Sequence, residues 1–143
     1  MHWPFLRKIE VLLFTSLVVA VPLFAWRILE LSRGQRELYQ VATMLVGDLR
    51  QCQTLAHRLN SKITIDCMRK ESIGVSYLLI QDEAKTKTIE IRMPFDVNIK
   101  GSGVVLPSGL PDGNLTFTLN LATRETKIQF YKNGNITISK LQF

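Results

Sequence analysis

Two hydrophobic patterns follow one another in the first 60 residues without a break between them. Residues 11–26 (VLLFTSLVVAVPLFAW) contain no charged residue. From Arg27 onward charged residues are common, yet apolar residues recur three or four positions apart. They are Leu38, Val41, Leu45, Leu49, Cys52, Leu55 or Ala56, and Leu59. This spacing places them on one side of a helix with 3.6 residues per turn. The sequence predicts one long helix, apolar all round at first and amphipathic afterwards.

The apolar run is almost long enough to cross a bilayer. A helix of residues 11–26 spans about 24 Å, whereas a membrane span needs about 20 apolar residues. Apolar neighbours such as Ile9 and Ile28 extend the run, and the flanking basic side chains can reach the membrane interface. A retained anchor fits better than a cleaved signal peptide. Residues 23–25 (LFA) match the A-x-A cleavage pattern poorly, and the helical spacing continues past them.

Two residues disturb the helical pattern without ending it. Pro22 predicts a kink, because it removes one helical hydrogen bond. Gly34 permits a bend, since glycine costs about 1 kcal/mol in a helix interior. Asn60 and Ser61 are predicted to end the helix. The predicted organisation is a short tail or leader at 1–10, a transmembrane helix at 11–29, an amphipathic helix at 30–60 and a β domain at 61–143.

The rest of the chain alternates between apolar and polar residues, as β-strands do. The predicted strands cover residues 62–67, 74–81, 87–93, 95–100, 115–121, 127–131 and 135–141. Residues 101–114 hold four glycines and two prolines and are predicted to form a loop. Asn133-Gly134 favours a type I′ turn that pairs the last two strands. One long helix followed by antiparallel strands predicts an α+β fold, with the helix stripe packed on an antiparallel sheet.

Charge and motif content disfavour an enzyme. The formal net charge is +6, and the basic residues are scattered along the chain, which is typical of a solvated, mildly basic surface. The sequence has no catalytic-triad motif, metal-ligand spacing, phosphate-binding loop or dinucleotide fingerprint. We therefore expect no catalytic residue, no metal and no cofactor.

The two cysteines, Cys52 and Cys67, leave their redox state open. The helix rises about 12 Å from Cys52 to its predicted end. The returning strand covers about 20 Å before it reaches Cys67. The two heights differ by several ångströms, so this spacing permits a disulfide without implying one. Buried free thiols are common, whereas an oxidising compartment would favour the disulfide.

The amino-terminal half carries motifs of a known protein family. Ile9-Glu10-Val11-Leu12-Leu13 is similar to the I-E-V-L segment that follows the processing site of type IV pilins and pseudopilins. Residues 41–56 (VATMLVGDLRQCQTLA) are similar to a helical segment of that family, with Leu45, Asp48, Leu49, Arg50 and Ala56 matching. The chain resembles most the H-type minor pseudopilins of type II secretion and the FimT-like minor pilins.

The resemblance implies a pilin-like fold and a structural role. It implies a single-pass protein of the bacterial inner membrane, with its carboxyl-terminal domain in the periplasm or outside the cell. The implied partners are other pilin or pseudopilin subunits, the lipid bilayer and prepilin peptidase. Glu10 would neutralise the amino terminus of a neighbouring subunit during assembly. Pairing of Glu10 with Arg7, three residues back on the helix, is the alternative.

The resemblance also implies where the chain would be processed. Cleavage by prepilin peptidase would fall between Phe5 and Leu6, followed by methylation of the new amino terminus. Phe5 stands where the family has glycine. Processing at this position and an unprocessed anchor therefore both remain open.

Two other functions follow from the same sequence. A FimT-like minor pilin would bind DNA during uptake through Lys127, Lys132 and Lys140, and its affinity would fall steeply with salt. An unrelated membrane-anchored β domain is the other alternative. It would be favoured if deletion of the protein left secretion, piliation and transformation intact.

Overall fold

The structure, a computed structural model, describes residues 3–70, 72–84 and 87–139, and for residues 3–10 and 13 it describes the backbone. In chain order the elements are helix α1 (Trp3–Leu59) and strands β1 (Ile63–Lys70), β2 (Val75–Asp82), β3 (Thr88–Arg92), β4 (Asn98–Lys100), β5 (Ser102–Val105), β6 (Leu115–Leu121), β7 (Arg124–Phe130) and β8 (Ile136–Ile138). The chain divides into two compact units, residues 1–34 and residues 35–143. All of these strands belong to the second unit.

Helix α1 confirms the predicted single helix. It continues through Pro22 and ends where the sequence predicts. Asn60 adopts a left-handed conformation with φ of 48°, which asparagine tolerates better than most residues. The Ser61 amide donates to the Ala56 carbonyl at 3.2 Å, and the Asn60 amide donates to the His57 carbonyl at 3.3 Å. These two hydrogen bonds form a Schellman cap, which satisfies carbonyls of the last helical turn.

The strands form two four-stranded antiparallel sheets. The first sheet has the order β3-β2-β1-β5, and the second has the order β4-β6-β7-β8. The long pairings are between consecutive strands. In the first sheet Ile63–Lys70 pairs with Val75–Asp82, and in the second Leu115–Leu121 pairs with Arg124–Phe130. The α+β layout is therefore confirmed, with two sheets in place of the single predicted sheet.

The chain crosses from the second sheet to the first inside the predicted loop. The sequence predicts no strand within residues 101–114, but β5 forms there and pairs with β1, Val105 opposite Ile63. Gly101 lets the chain pass from the second sheet to the first between β4 and β5. Its φ is 145°, and a Cβ at this position would lie 2.8 Å from Cδ1 of Phe117. Only glycine fits such a conformation and approach.

The last hairpin pairs as predicted but turns differently. Strands β7 and β8 are antiparallel, with Phe130 opposite Ile136. The Gly134 amide donates to the Tyr131 carbonyl at 2.8 Å. Among the described residues of this turn only Gly134 has a positive φ, 88°, whereas type I′ requires two such positions. The predicted type I′ turn is therefore wrong, and a longer turn closed by Gly134 replaces it.

One hydrophobic core joins the helix stripe to both sheets. The stripe is as predicted at Leu38, Val41, Leu45, Leu49 and Cys52, and Ala42 also belongs to it. Ala56 takes the last buried position, whereas Leu59 is 40% exposed. The sheets contribute Ile63, Ile65, Leu78, Ile80, Ile99, Val105, Phe117, Leu119, Ile128 and Phe130, and Val97 joins them from the segment before β4. The second unit thus buries one stripe of α1 against both sheets.

Candidate assembly surface

The apolar run of α1 exposes its side chains on every side. The described large apolar residues from Val11 to Leu31 are each between 53% and 71% exposed. Within Phe14–Leu59 an 18-residue window has a mean hydropathy of 1.6, and none of it is buried. Among the described residues this is the one helix long and apolar enough to cross a membrane. A contiguous apolar surface of this size normally marks an interaction with a membrane or with other proteins.

Polar side chains in and beside the apolar run form hydrogen bonds within the helix. The Thr15 hydroxyl donates to the Val11 carbonyl at 2.7 Å, and the Ser32 hydroxyl donates to the Leu29 carbonyl at 2.9 Å. Unsatisfied polar groups are costly in hydrocarbon, and bonding to a preceding carbonyl removes that cost. These residues are therefore compatible with a helix that is surrounded by lipid or by other helices.

The residues tied to processing and assembly lie on the first turns of α1. Phe5, Leu6 and Glu10 belong to the helix, and their side chains lie outside the described residues. The roles expected for them, a processing site at Phe5 and Leu6 and an assembly contact at Glu10, stay predictions. Pairing of Glu10 with Arg7 stays an alternative for the same reason.

Asp48 lies at the margin of the buried stripe. Its Oδ2 atom is buried and has no hydrogen-bond partner. Burial raises the pKa of the Asp48 carboxyl above its ordinary value of 3.8, because a low-dielectric surrounding disfavours the charged form. A buried carboxylate oxygen without a donor lowers the stability of the fold. The sequence pattern alone does not reveal this cost, since Asp48 looks like an ordinary boundary residue of an amphipathic helix.

The two cysteines face the core as free thiols. Cys52 is buried on α1 and Cys67 is half-buried on β1. Burial raises the pKa of each thiol to about 12, helped by the negative charges of Asp48 beside Cys52 and of Asp66 beside Cys67. The structure does not join them, so the disulfide that the spacing permits is not formed here. Thiols with so high a pKa are poor nucleophiles at neutral pH.

Two of the three lysines proposed for DNA binding, Lys127 and Lys132, lie in the part of the chain that the structure describes. Lys127 lies on β7, where its Nζ is 3.1 Å from Oε1 of Glu125, so its charge is partly neutralised. Lys132 lies in the turn after β7, and its amide donates to Oδ1 of Asn114 at 2.9 Å. Lys140 lies outside the described residues. DNA binding through these three residues stays a prediction.

Sequence reasoning missed two residues that the fold uses. Gln53 contacts two loops. Its Nε2 donates to the Gly134 carbonyl at 3.4 Å, and its backbone carbonyl lies against Gly109. Arg124 is only 9% exposed and opens β7 opposite Leu121. Arg124 shares the strand parity of the buried Thr126. That parity could have revealed its inward position, had the predicted strand begun before residue 127.

Comparisons with known proteins add no family assignment: no protein-family model, curated protein or solved structure matches this chain. Among the described residues, no group of three or more His, Cys, Asp or Glu side chains could hold a metal ion. The features that carry an argument about function are therefore the exposed apolar run and the core stripe on the same helix.

Proposed function

We propose that this protein is a membrane-anchored structural subunit of the pilin and pseudopilin kind, most similar to a minor pseudopilin of type II secretion or a minor pilin. The observation that carries the proposal is that the two parts of α1 have different surroundings. Its first part exposes apolar side chains on every side, and its second part lends one stripe to a compact β domain. The resemblance of residues 9–13 and 41–56 to that family supports the same reading.

The physical logic of such a subunit lies in what covers the apolar run. Each exposed Val, Leu, Ile or Phe side chain gains roughly 1.5–3 kcal/mol when it is removed from water. Lipid chains and neighbouring helices can both provide that cover. A subunit that moves from the bilayer into a filament exchanges lipid contacts for helix packing, so the transfer requires little net desolvation. The β domain keeps its own core throughout, because the buried stripe belongs to that core.

Within this proposal Glu10 sets the register between subunits. A carboxylate near the start of an apolar run is costly in hydrocarbon unless it is paired, so a cationic amino terminus of a neighbouring subunit would select one alignment. A chain that begins at Leu6 would place its own amino terminus four residues from Glu10 along the sequence. Intact mass and amino-terminal sequencing of the membrane-extracted protein decide between that start and an unprocessed anchor.

Deletion and complementation in the native host test the proposal. Loss of the protein should reduce secretion, piliation or transformation, and the wild-type gene should restore it. Val18→Arg should fail to restore it, because an arginine at the centre of a membrane helix costs about 2.5–3.5 kcal/mol on insertion scales. Thr43→Arg, at an exposed position of the second unit, is the matched control and should complement. An intact phenotype after deletion would contradict the proposal.

A further inference from the structure

The second unit has two ends, and the contacts of Gln53 identify one of them. Gln53 lies near the carboxyl end of α1, and both the 106–114 loop and the 131–135 turn approach it, through Gly109 and Gly134. The buried stripe continues back along the helix from Ala56 to Leu38. That stretch is about 27 Å long, which exceeds the roughly 20 Å covered by a seven-residue strand. The first residues of the second unit therefore lie at the end of the unit opposite Gln53.

Three turns meet at that other end, which we call the base. They are the β1–β2 turn, described at 72–74, the segment 93–97 and the β6–β7 turn at 122–123. The Met93 amide donates to the Ser76 carbonyl at 3.0 Å, and the Ser76 hydroxyl donates to Oδ1 of Asn98 at 3.5 Å. Asn98 is in turn paired with Asn120. These contacts bring together the first residues of β2, the first residues of β4 and the end of β6 beside the β6–β7 turn.

Two large apolar side chains project into solvent from the base. Ile73 is 63% exposed in the β1–β2 turn, and Phe95 is 44% exposed between β3 and β4. Phe95 also adopts a left-handed backbone conformation, with φ of 60°, which is a rare and unfavourable state for a bulky residue. The fold therefore holds an aromatic ring outward at a position where its backbone is strained.

Two arginines lie on the strands that lead into the segments of Ile73 and Phe95. Arg69 is the last residue but one of β1, and Arg92 ends β3. Both are exposed, and neither makes an ion pair within 4.0 Å with a carboxylate of the described residues. Two described acidic residues are paired: Glu90 lies 3.8 Å from Nζ of Lys70, and Glu125 lies 3.1 Å from Nζ of Lys127. Asp96 is exposed, and Glu71 follows Arg69 and Lys70 in the sequence, so the two arginines lie among residues of both signs.

The length of the chain before the base limits what can reach it. Leu31 is the last strongly exposed apolar residue of the run, and the second unit begins at Gln35. Four residues cover at most about 14 Å even when fully extended. Gln35, the first residue of the second unit, is thus within that reach of Leu31, and it enters the unit at the end where the base lies. The headgroup region of a bilayer begins where a membrane-spanning run ends.

We propose that the base docks on the headgroup region of the same bilayer that holds the apolar run, with Ile73 and Phe95 inserted among the headgroups. This inference rests on the membrane anchoring in the proposed function. Apolar side chains flanked by arginines are the chemistry of interfacial membrane binding, and anionic phospholipids attract the arginines. Docking would fix the height of the β domain above the membrane and hold the apolar run at one depth before assembly.

Spin labels on the full chain in vesicles of phosphatidylcholine and phosphatidylglycerol test this docking. One label is placed by Thr123→Cys at the base, one by Ser108→Cys in the 106–114 loop, and one by Leu17→Cys in the apolar run, with labelling of the parent protein subtracted. A water-soluble nickel chelate should relax the Thr123 label about threefold less than the Ser108 label, because interfacial groups lie about 5–10 Å inside the headgroup boundary. The double variant Ile73→Ser, Phe95→Ser should abolish that difference and leave the Leu17 label shielded.

Each other outcome would overturn the inference and shows where it fails. Equal exposure of the Thr123 and Ser108 labels, with Leu17 shielded, would refute docking and leave the anchor standing. An exposed Leu17 label would refute the anchor as well. Protection of Thr123 that falls when the protein is diluted at constant lipid would assign the base to contact with a second copy of this chain.

Discussion

Asp48 and Cys52 form an unfavourable pair at the edge of the core. They lie one helical turn apart, and the Asp48 charge raises the pKa of the Cys52 thiol beyond what burial alone does. The Asp48 carboxyl itself has a raised pKa and an unpartnered buried oxygen. Natural folds tend to keep such groups only where another requirement outweighs their cost. Asp48 is also one of the residues that match the pilin-like segment.

The raised pKa of Asp48 predicts a pH-dependent stability. The folded chain holds the proton of this carboxyl more tightly than the unfolded chain, so its contribution is fully favourable below 3.8 and is lost as pH rises through the raised folded value. Asp48→Asn should therefore raise the unfolding free energy at neutral pH by about 1 kcal/mol. Thermal melts of the full chain in micelles should show this gain shrinking below pH 4, and an equal gain at every pH would contradict the assignment.

Both native thiols should react slowly in the folded protein. A pKa of about 12 leaves almost no thiolate at neutral pH, and thiolate is the reactive species. Ser108→Cys introduces an exposed thiol as an internal control. The introduced thiol should react with a disulfide reagent at least roughly tenfold faster than Cys52 and Cys67, and denaturant should remove the difference. A native thiol that reacts as fast as the introduced thiol would show that this native cysteine is accessible.

Helix α1 has one face that matters for folding and another that does not. Leu45 is fully buried, whereas its neighbour Met44 is 41% exposed. Leu45→Ala should lower the unfolding free energy of the second unit by about 2–5 kcal/mol, because it leaves a cavity in the core. Met44→Ala should cost less than about 1 kcal/mol. Chemical denaturation in micelles measures both, and equal losses would contradict the described packing.

Gly101 is the position at which the chain changes sheets. Gly101→Ala should destabilise the fold by about 2–4 kcal/mol, since it adds a backbone penalty at φ of 145° and a clash with Phe117. Gly113→Ala is the control: its φ is also positive, at 105°, but a Cβ there meets nothing within 4 Å. The control should therefore lose less. Equal losses for the two variants in the same denaturation assay would show that the clash is absent.

Local periodicity revealed most elements and missed the contacts that are distant in sequence. The helix, its buried stripe and its Asn60 cap follow from residue spacing, because these are interactions between near neighbours. Strand β5 was missed because its partner is β1, some forty residues away, and glycine and proline beside it resemble a loop. The burial of Arg124 and the grip of Gln53 on two loops likewise depend on tertiary packing, which a single sequence does not encode locally.

The whole molecule joins an apolar helical run to a domain with a core of its own. The second unit satisfies its apolar stripe internally, but the run in the first unit has no cover within that unit. A structure of this kind requires an external apolar partner, and a bilayer and neighbouring helices are the two that fit its all-round exposure. The assembly role expected for Glu10 and the processing expected at Phe5 and Leu6 belong to this scale, because both concern several subunits.

Site-specific photocrosslinking in native cells tests the central claim most directly. A photoreactive amino acid replaces Leu17 in the apolar run, and a second strain carries it at Ser108 as a control on the domain surface. We expect the Leu17 probe to crosslink to a pilin or pseudopilin subunit identified by mass spectrometry, with a yield that Glu10→Gln lowers without removing the protein from the membrane. Crosslinks to lipid alone, with secretion and piliation active, would contradict a role in assembly.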